Sequence, residues 1–172
     1  MRKKKLQQLK EQQFWSTFFY LNVPKHLTEI PAHIDRVNFR IWDHVEDDHL
    51  LLMLSKVKSI NMLDLDETDI SIEGIKYLTK LEQLKELRLK GVAAIDNDCM
   101  PHLNQLRDLE LLHLGGTSVT LNGLTNLINL QKLKVILLSI PPDEVIKEKM
   151  YELKTMLPHC EFIINYKSYE FV

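Results

Sequence analysis

One short phrase is written three times between Ile60 and Leu138 and then begins a fourth time. No other feature limits the folds open to this chain as strongly. Ile60-Asn61-Met62-Leu63-Asp64-Leu65 is followed by Leu84-Lys85-Glu86-Leu87-Arg88-Leu89 and by Leu109-Glu110-Leu111-Leu112-His113-Leu114, and the next copy starts at Leu133-Lys134-Val135-Ile136-Leu137-Leu138. The starts lie 24, 25 and 24 residues apart, and apolar residues hold positions 1, 4 and 6. A turn of this length cannot bury its apolar side alone, so each turn must stack on the next. The expected fold is α/β: a solenoid with a concave parallel sheet, one strand per turn, short helices on the convex side, and a cap at each end.

Three segments follow. Residues 1–33 form a basic and aromatic N-terminal segment, residues 34–139 the repeats, and residues 140–172 a C-terminal helix-strand cap. The first turn is degenerate: Ile34, Val37 and Phe39 take positions 1, 4 and 6, and Leu51, Leu54 and Val57 lead into Ile60, 26 residues on. Asp47 or Asp48 is expected to cap its helix. Gly74, Cys99 and Gly123 form a small-residue column where each helix start approaches its neighbour closely. The cluster from Phe14 to Tyr20 is either a lid over the first turn or an exposed docking segment. Met150, Leu153 and Leu157 recur at helical spacing, predicting a helix over 143–157. Leu157-Pro158-His159-Cys160-Glu161-Phe162 then fits positions 1, 4 and 6 again, 24 residues after Leu133. A last strand is expected from Cys160 to Tyr166.

Composition narrows the function classes. The 172 residues, 45% hydrophobic and 27% charged, suit one ordinary globular domain. A formal net charge of −2 exerts no global pull toward nucleic acid or anionic lipid. Cys99 and Cys160 make no disulfide framework. The start Met1-Arg2-Lys3-Lys4-Lys5 is followed by a polar stretch rather than the apolar core of a signal peptide. No run approaches the ~20 apolar residues of a spanning helix. A cytoplasmic protein without membrane insertion is expected.

Residues 60–81 and 109–130 resemble the cysteine-containing class of leucine-rich repeat found in F-box substrate adaptors. Thr68 and Thr117 stand where that class places its ladder cysteine; residues 84–106 carry Val92 there and one extra residue. The resemblance covers roughly two-thirds of the chain and implies the repeat architecture. The layout is also similar to the family of the mitochondrial ATP synthase coupling factor B (subunit s), chiefly through Leu133 to Ile163. Neither a mitochondrial transit sequence nor an F-box is recognisable, so architecture alone carries over.

The residues between the buried leucines should line the concave face. Position 3 supplies Arg36, Met62, Glu86, Leu111, Val135 and His159; position 5 supplies Asn38, Asp64, Arg88, His113, Leu137 and Glu161; position 7 supplies Arg40, Asp66, Lys90, Gly115, Ser139 and Ile163. Neighbours in a row should sit ~4.8 Å apart. The N-terminal half alternates in charge, which reads either as a self-satisfied salt-bridge lattice or as an orienting rim. The C-terminal half offers apolar side chains, which serve either lateral strand packing or partner contact. A non-enzymatic module binding another protein on this face, with self-association as one form of it, is the expected function. Two alternatives stand beside it. One is a hydrolase or transferase at His113, for which no nucleophile or pocket-building insertion is apparent. The other is binding of nucleic acid or an anionic surface through the five cations of residues 1–10, though Glu11 and the absence of a basic face elsewhere argue for a solvated tail. His44 and Asp48 are spaced as metal ligands, but no second ligand cluster accompanies them; no metal or other cofactor is expected.

Overall fold

The computed structural model describes residues 2–19, 29–141 and 147–171. Tyr20 of the aromatic cluster and residues 143–146 of the expected C-terminal helix lie outside them. Seven strands run in chain order through a single sheet: β1 (His33–Asn38), β2 (Ser59–Asp64), β3 (Gln83–Arg88), β4 (Leu111–Leu114), β5 (Val135–Leu138), β6 (Glu161–Ile164) and β7 (Lys167–Ser168). The first six pair in parallel, and β7 returns antiparallel to β6. Short helices fill the connections: α2 (Asp47–Leu54), α3 (Ile72–Leu78), α4 (Met100–Leu103, entered through a 3₁₀ turn at Asn97–Cys99) and α5 (Leu121–Leu124). Two longer helices flank them, α1 (Arg2–Phe18) and α6 (Lys147–Met156). No described helix is long and apolar enough to cross a membrane.

Strand alternation sends positions 4 and 6 of each phrase into one core. Val37, Leu63, Leu87, Leu112, Ile136 and Phe162 are cross-strand partners in one row, and all are buried. Cys99 packs fully inside, its Sγ donating to the Asp96 carbonyl at 2.9 Å, and burial pushes its thiol up to about 12. Buried Cys160 is likewise pushed up to about 12 by burial.

The helix starts are tied across turns. The Asp47 carboxylate accepts the Ser71 backbone N–H at 2.9 Å and its hydroxyl at 2.6 Å, while Ser71 itself caps α3. Two turns later Asn97 clasps Thr120, the residue that caps α5, in the same way. A Cβ on Gly74 or Gly123 would collide with Asp47 or Asn97, which is why the column is small there. Glu46 rather than Asp47 or Asp48 caps α2, in a reciprocal box with His49. Asp47 is occupied by Ser71.

Both ends of the core are covered. Phe14 and Trp15 of α1 are buried, and the Phe14 ring stands 6.4 Å from Phe39 and 5.7 Å from Trp42. At the other end Met150 and Leu153 of α6 are fully buried, and Phe171 packs its ring 6.2 Å from Phe162.

The last turn departs from the sequence reading. Val135 pairs with Glu161 and Leu137 with Ile163, 26 residues apart rather than 24. Hence His159 does not join the position-3 row; it lies exposed in the turn before β6. The ten-residue α6 takes up more chain than the short helices before it. Leu157 and Cys160 are buried where the chain leaves that helix, ahead of the strand. A slip of two preserves which side chains face inward, so Phe162 and Ile164 occupy the core places.

Candidate functional site

The face of the sheet opposite the core is built from the alternate side chains of these strands. Cross-strand pairing sets Arg36, Met62, Glu86, Leu111, Val135 and Glu161 in one line, and Asn38, Asp64, Arg88, His113, Leu137 and Ile163 in the next. Arg40, Asp66, Lys90, Gly115 and Ser139 follow just beyond the strand ends.

The charged half does not form a lattice of ion pairs. Asp64 and Arg88 are partners in register, yet the guanidinium lies 3.8 Å from Glu86 on its own strand. Arg40 pairs at 3.3 Å with Glu67, not with Asp66. The two aspartates serve the backbone instead. Asp64 accepts the Asp66 N–H at 3.0 Å, and Asp66 accepts the Lys90 N–H at 2.7 Å, locking the exit of one strand to that of the next. Asn38 does the same for Arg40. This use explains how carboxylates only 8% and 3% exposed are tolerated. Among the described residues neither has a cationic side chain within 4.0 Å.

At the centre the electrostatics are shifted. Burial raises the Asp66 carboxyl, outweighing the Lys90 N–H that lowers it, and nearby Asp64 adds to the rise. Burial lowers His113, opposed by Asp66 and reinforced by Arg88 and Lys90. His113 Nδ1 and Arg88 Nε are both enclosed without a hydrogen-bond partner. Gly115 gives the imidazole its room, since a Cβ there would stand 3.0 Å from His113 Nε2. The same point is 3.4 Å from Ser139 Oγ, so His113 and Ser139 flank Gly115. The repeat spacing alone did not connect them, because the link depends on which way the ring turns. No hydrogen bond joins them among the described residues, and no carboxylate reaches Nδ1. A nucleophile–base pair needs the first of these contacts, and an oriented base the second.

The other half is apolar. Leu111 pairs with Val135 and His113 with Leu137, placing Leu111, Val135, Leu137 and Ile163 on neighbouring strands, each half-buried and outside the core. A hollow of about 270 Å³ lies between Asp35, Arg36, Asn61, Met62, Lys85, Glu86 and Glu110. Two of its lining residues are joined, Asn61 donating to Asp35 at 2.7 Å, and Gln83 donates to Asn61 in turn at 2.8 Å.

Elsewhere, His44 sits 3.6 Å from Asp69 on the exposed edge. No three His, Cys, Asp or Glu side chains converge as metal ligands would among the described residues. Compared with known proteins, the chain matches no protein-family model and no curated sequence.

Proposed function

We propose that the chain is a leucine-rich repeat solenoid of the cysteine-containing type that docks a protein partner on the concave face of its sheet and catalyses no reaction. Strand pairing at a nearly constant 24 to 26 residues supports the repeat reading. One observation carries the docking reading: Leu111, Val135, Leu137 and Ile163 adjoin one another on the face away from the core and remain partly exposed. The core is already filled by their neighbours Leu112, Ile136 and Leu138, so the outward four add little to folding while offering an apolar anchor. The charged half beside them would set orientation. Buried cysteines without a disulfide suit a reducing, cytoplasmic setting.

The test is the double substitution Leu111→Ser/Leu137→Ser. It is expected to leave the melting temperature nearly unchanged while abolishing capture of a partner that the parent retains, or abolishing self-association measured by sedimentation. A variant that folds and keeps every partner would place docking elsewhere. Loss of folding would mean that these side chains belong to the core.

A further inference from the structure

Helix α1 carries apolar side chains on two sides, and only one of those sides packs against the body. Phe14, Trp15 and Phe18 turn toward the body, where Phe18 stands 5.9 Å from Phe39 and 6.3 Å from Trp42. Leu9 is nine residues, two and a half turns, from Phe18 and so projects to the opposite side. Leu6 lies one turn before it. The two leucines are 59% and 53% exposed, and every residue from Lys4 to Lys10 is exposed. From Lys4 to Lys10 helix α1 therefore leaves the body as an arm on which no described residue is buried. A helical stretch this short is marginal in water unless something supports it.

Charge says what that support is. The arm carries Arg2, Lys3, Lys4, Lys5 and Lys10 against Glu11, a net +4 within a chain whose total is −2, which leaves −6 on the remainder. Cation and body are thus segregated, and the arm will be drawn to an anionic surface that repels the rest. Lys5 and Lys10 immediately bracket the leucine pair in sequence. A nucleic-acid backbone would use the cations and leave the leucines in water. A lipid headgroup layer uses both, burying the leucines at the acyl boundary while acidic headgroups neutralise the lysines.

We propose that the outward face of α1 is an interfacial anchor for an anionic lipid surface, with Leu6 and Leu9 inserted and the lysines paired to headgroups. The aromatic contacts of Phe14 and Phe18 with Phe39 and Trp42 fix the arm to the body beside the end of β1. This site is independent of the concave-face reading.

Flotation of the full chain with phosphatidylcholine vesicles, with and without phosphatidylserine, tests it. The chain is expected to float with the acidic vesicles, to stay behind with the neutral ones, and to be released by high salt. Leu6→Gln/Leu9→Gln keeps the charge and should weaken binding at least tenfold. Lys4→Gln/Lys5→Gln keeps the leucines and should weaken it by a similar factor. All four residues are exposed, so both variants should melt as the parent does. Failure to bind acidic vesicles overturns the proposal, as does equal binding to neutral ones. Unchanged binding of the leucine variant, or displacement of vesicles by a DNA duplex that it binds equally well, would mean a polyanion held by charge alone.

Discussion

Asn97 reaches across one whole turn to hold Thr120 twice, accepting its backbone N–H at Oδ1 and donating from Nδ2 to its hydroxyl, each at 3.0 Å. Thr120 is itself the cap of α5, so one amide both positions a helix start and joins two turns. Asn97→Ala should cost about 1–2 kcal/mol in urea unfolding. The companion change Gly123→Ala collides with Asn97 and should be costly alone, yet much less so beside Asn97→Ala. Additive costs would show that the collision is not what keeps position 123 small.

Leu87 and Leu112 are cross-strand partners with no exposed surface. Leu112→Ala should cost about 2–5 kcal/mol through lost burial and the cavity left behind. Hydrogen exchange should speed up in β3 and β5 together, since each turn is braced only by its neighbours. A denaturation midpoint equal to that of the parent would contradict the packing.

Glu67, Gly91 and Gly116 occupy equivalent places just after their strands, and all three have left-handed backbone, with φ of 61°, 70° and 71°. Glutamate is the residue that this conformation strains. Glu67→Gly removes that strain at the expense of an exposed ion pair with Arg40 worth about 0–1 kcal/mol. Its stability should equal or exceed that of the parent. Gly116→Ala should lose about 1–2 kcal/mol. Thermal melts of the two variants should shift in opposite directions or, for Glu67→Gly, not at all; a fall in both would refute the comparison.

His113 and Asp66 make stability respond to pH with opposite signs. Burial lowers His113, so the folded chain takes up its proton later than the unfolded chain. The contribution is therefore present above about 6.5 and lost as pH falls through the lowered folded value. Burial raises Asp66, so its contribution is present below about 3.9 and lost as pH rises through the raised value. His113→Gln should flatten the acid-side decline just below about pH 6.5, and Asp66→Asn the decline on rising from about pH 4. Urea midpoints across that range measure both; curves parallel to the parent would show that the two groups are not linked to folding.

Strand positions were legible because the apolar places of each phrase obey alternation and the phrase recurs at nearly fixed length. The final turn escaped that reading by two residues: Leu157 and Cys160 are apolar for the sake of the helix exit, not the strand. The alternating charges suggested ion pairs, but the nearest partners of Asp64 and Asp66 are backbone N–H groups. An aspartate two residues before an amide can turn back on its own chain as easily as across to an arginine. That choice is made by rotamer and burial, which composition does not record. The pairing of His113 with Gly115 and Ser139 was hidden for the same reason.

The reversal of β7 against β6 has a consequence for assembly. Sheets that grow by adding parallel strands expose, at their last edge, a template onto which the first strand of another copy could lie. Here that edge is taken by a two-residue strand ending the sheet with an exposed lysine, Lys167. Head-to-tail joining, the geometry that yields open filaments, is therefore blocked at one end.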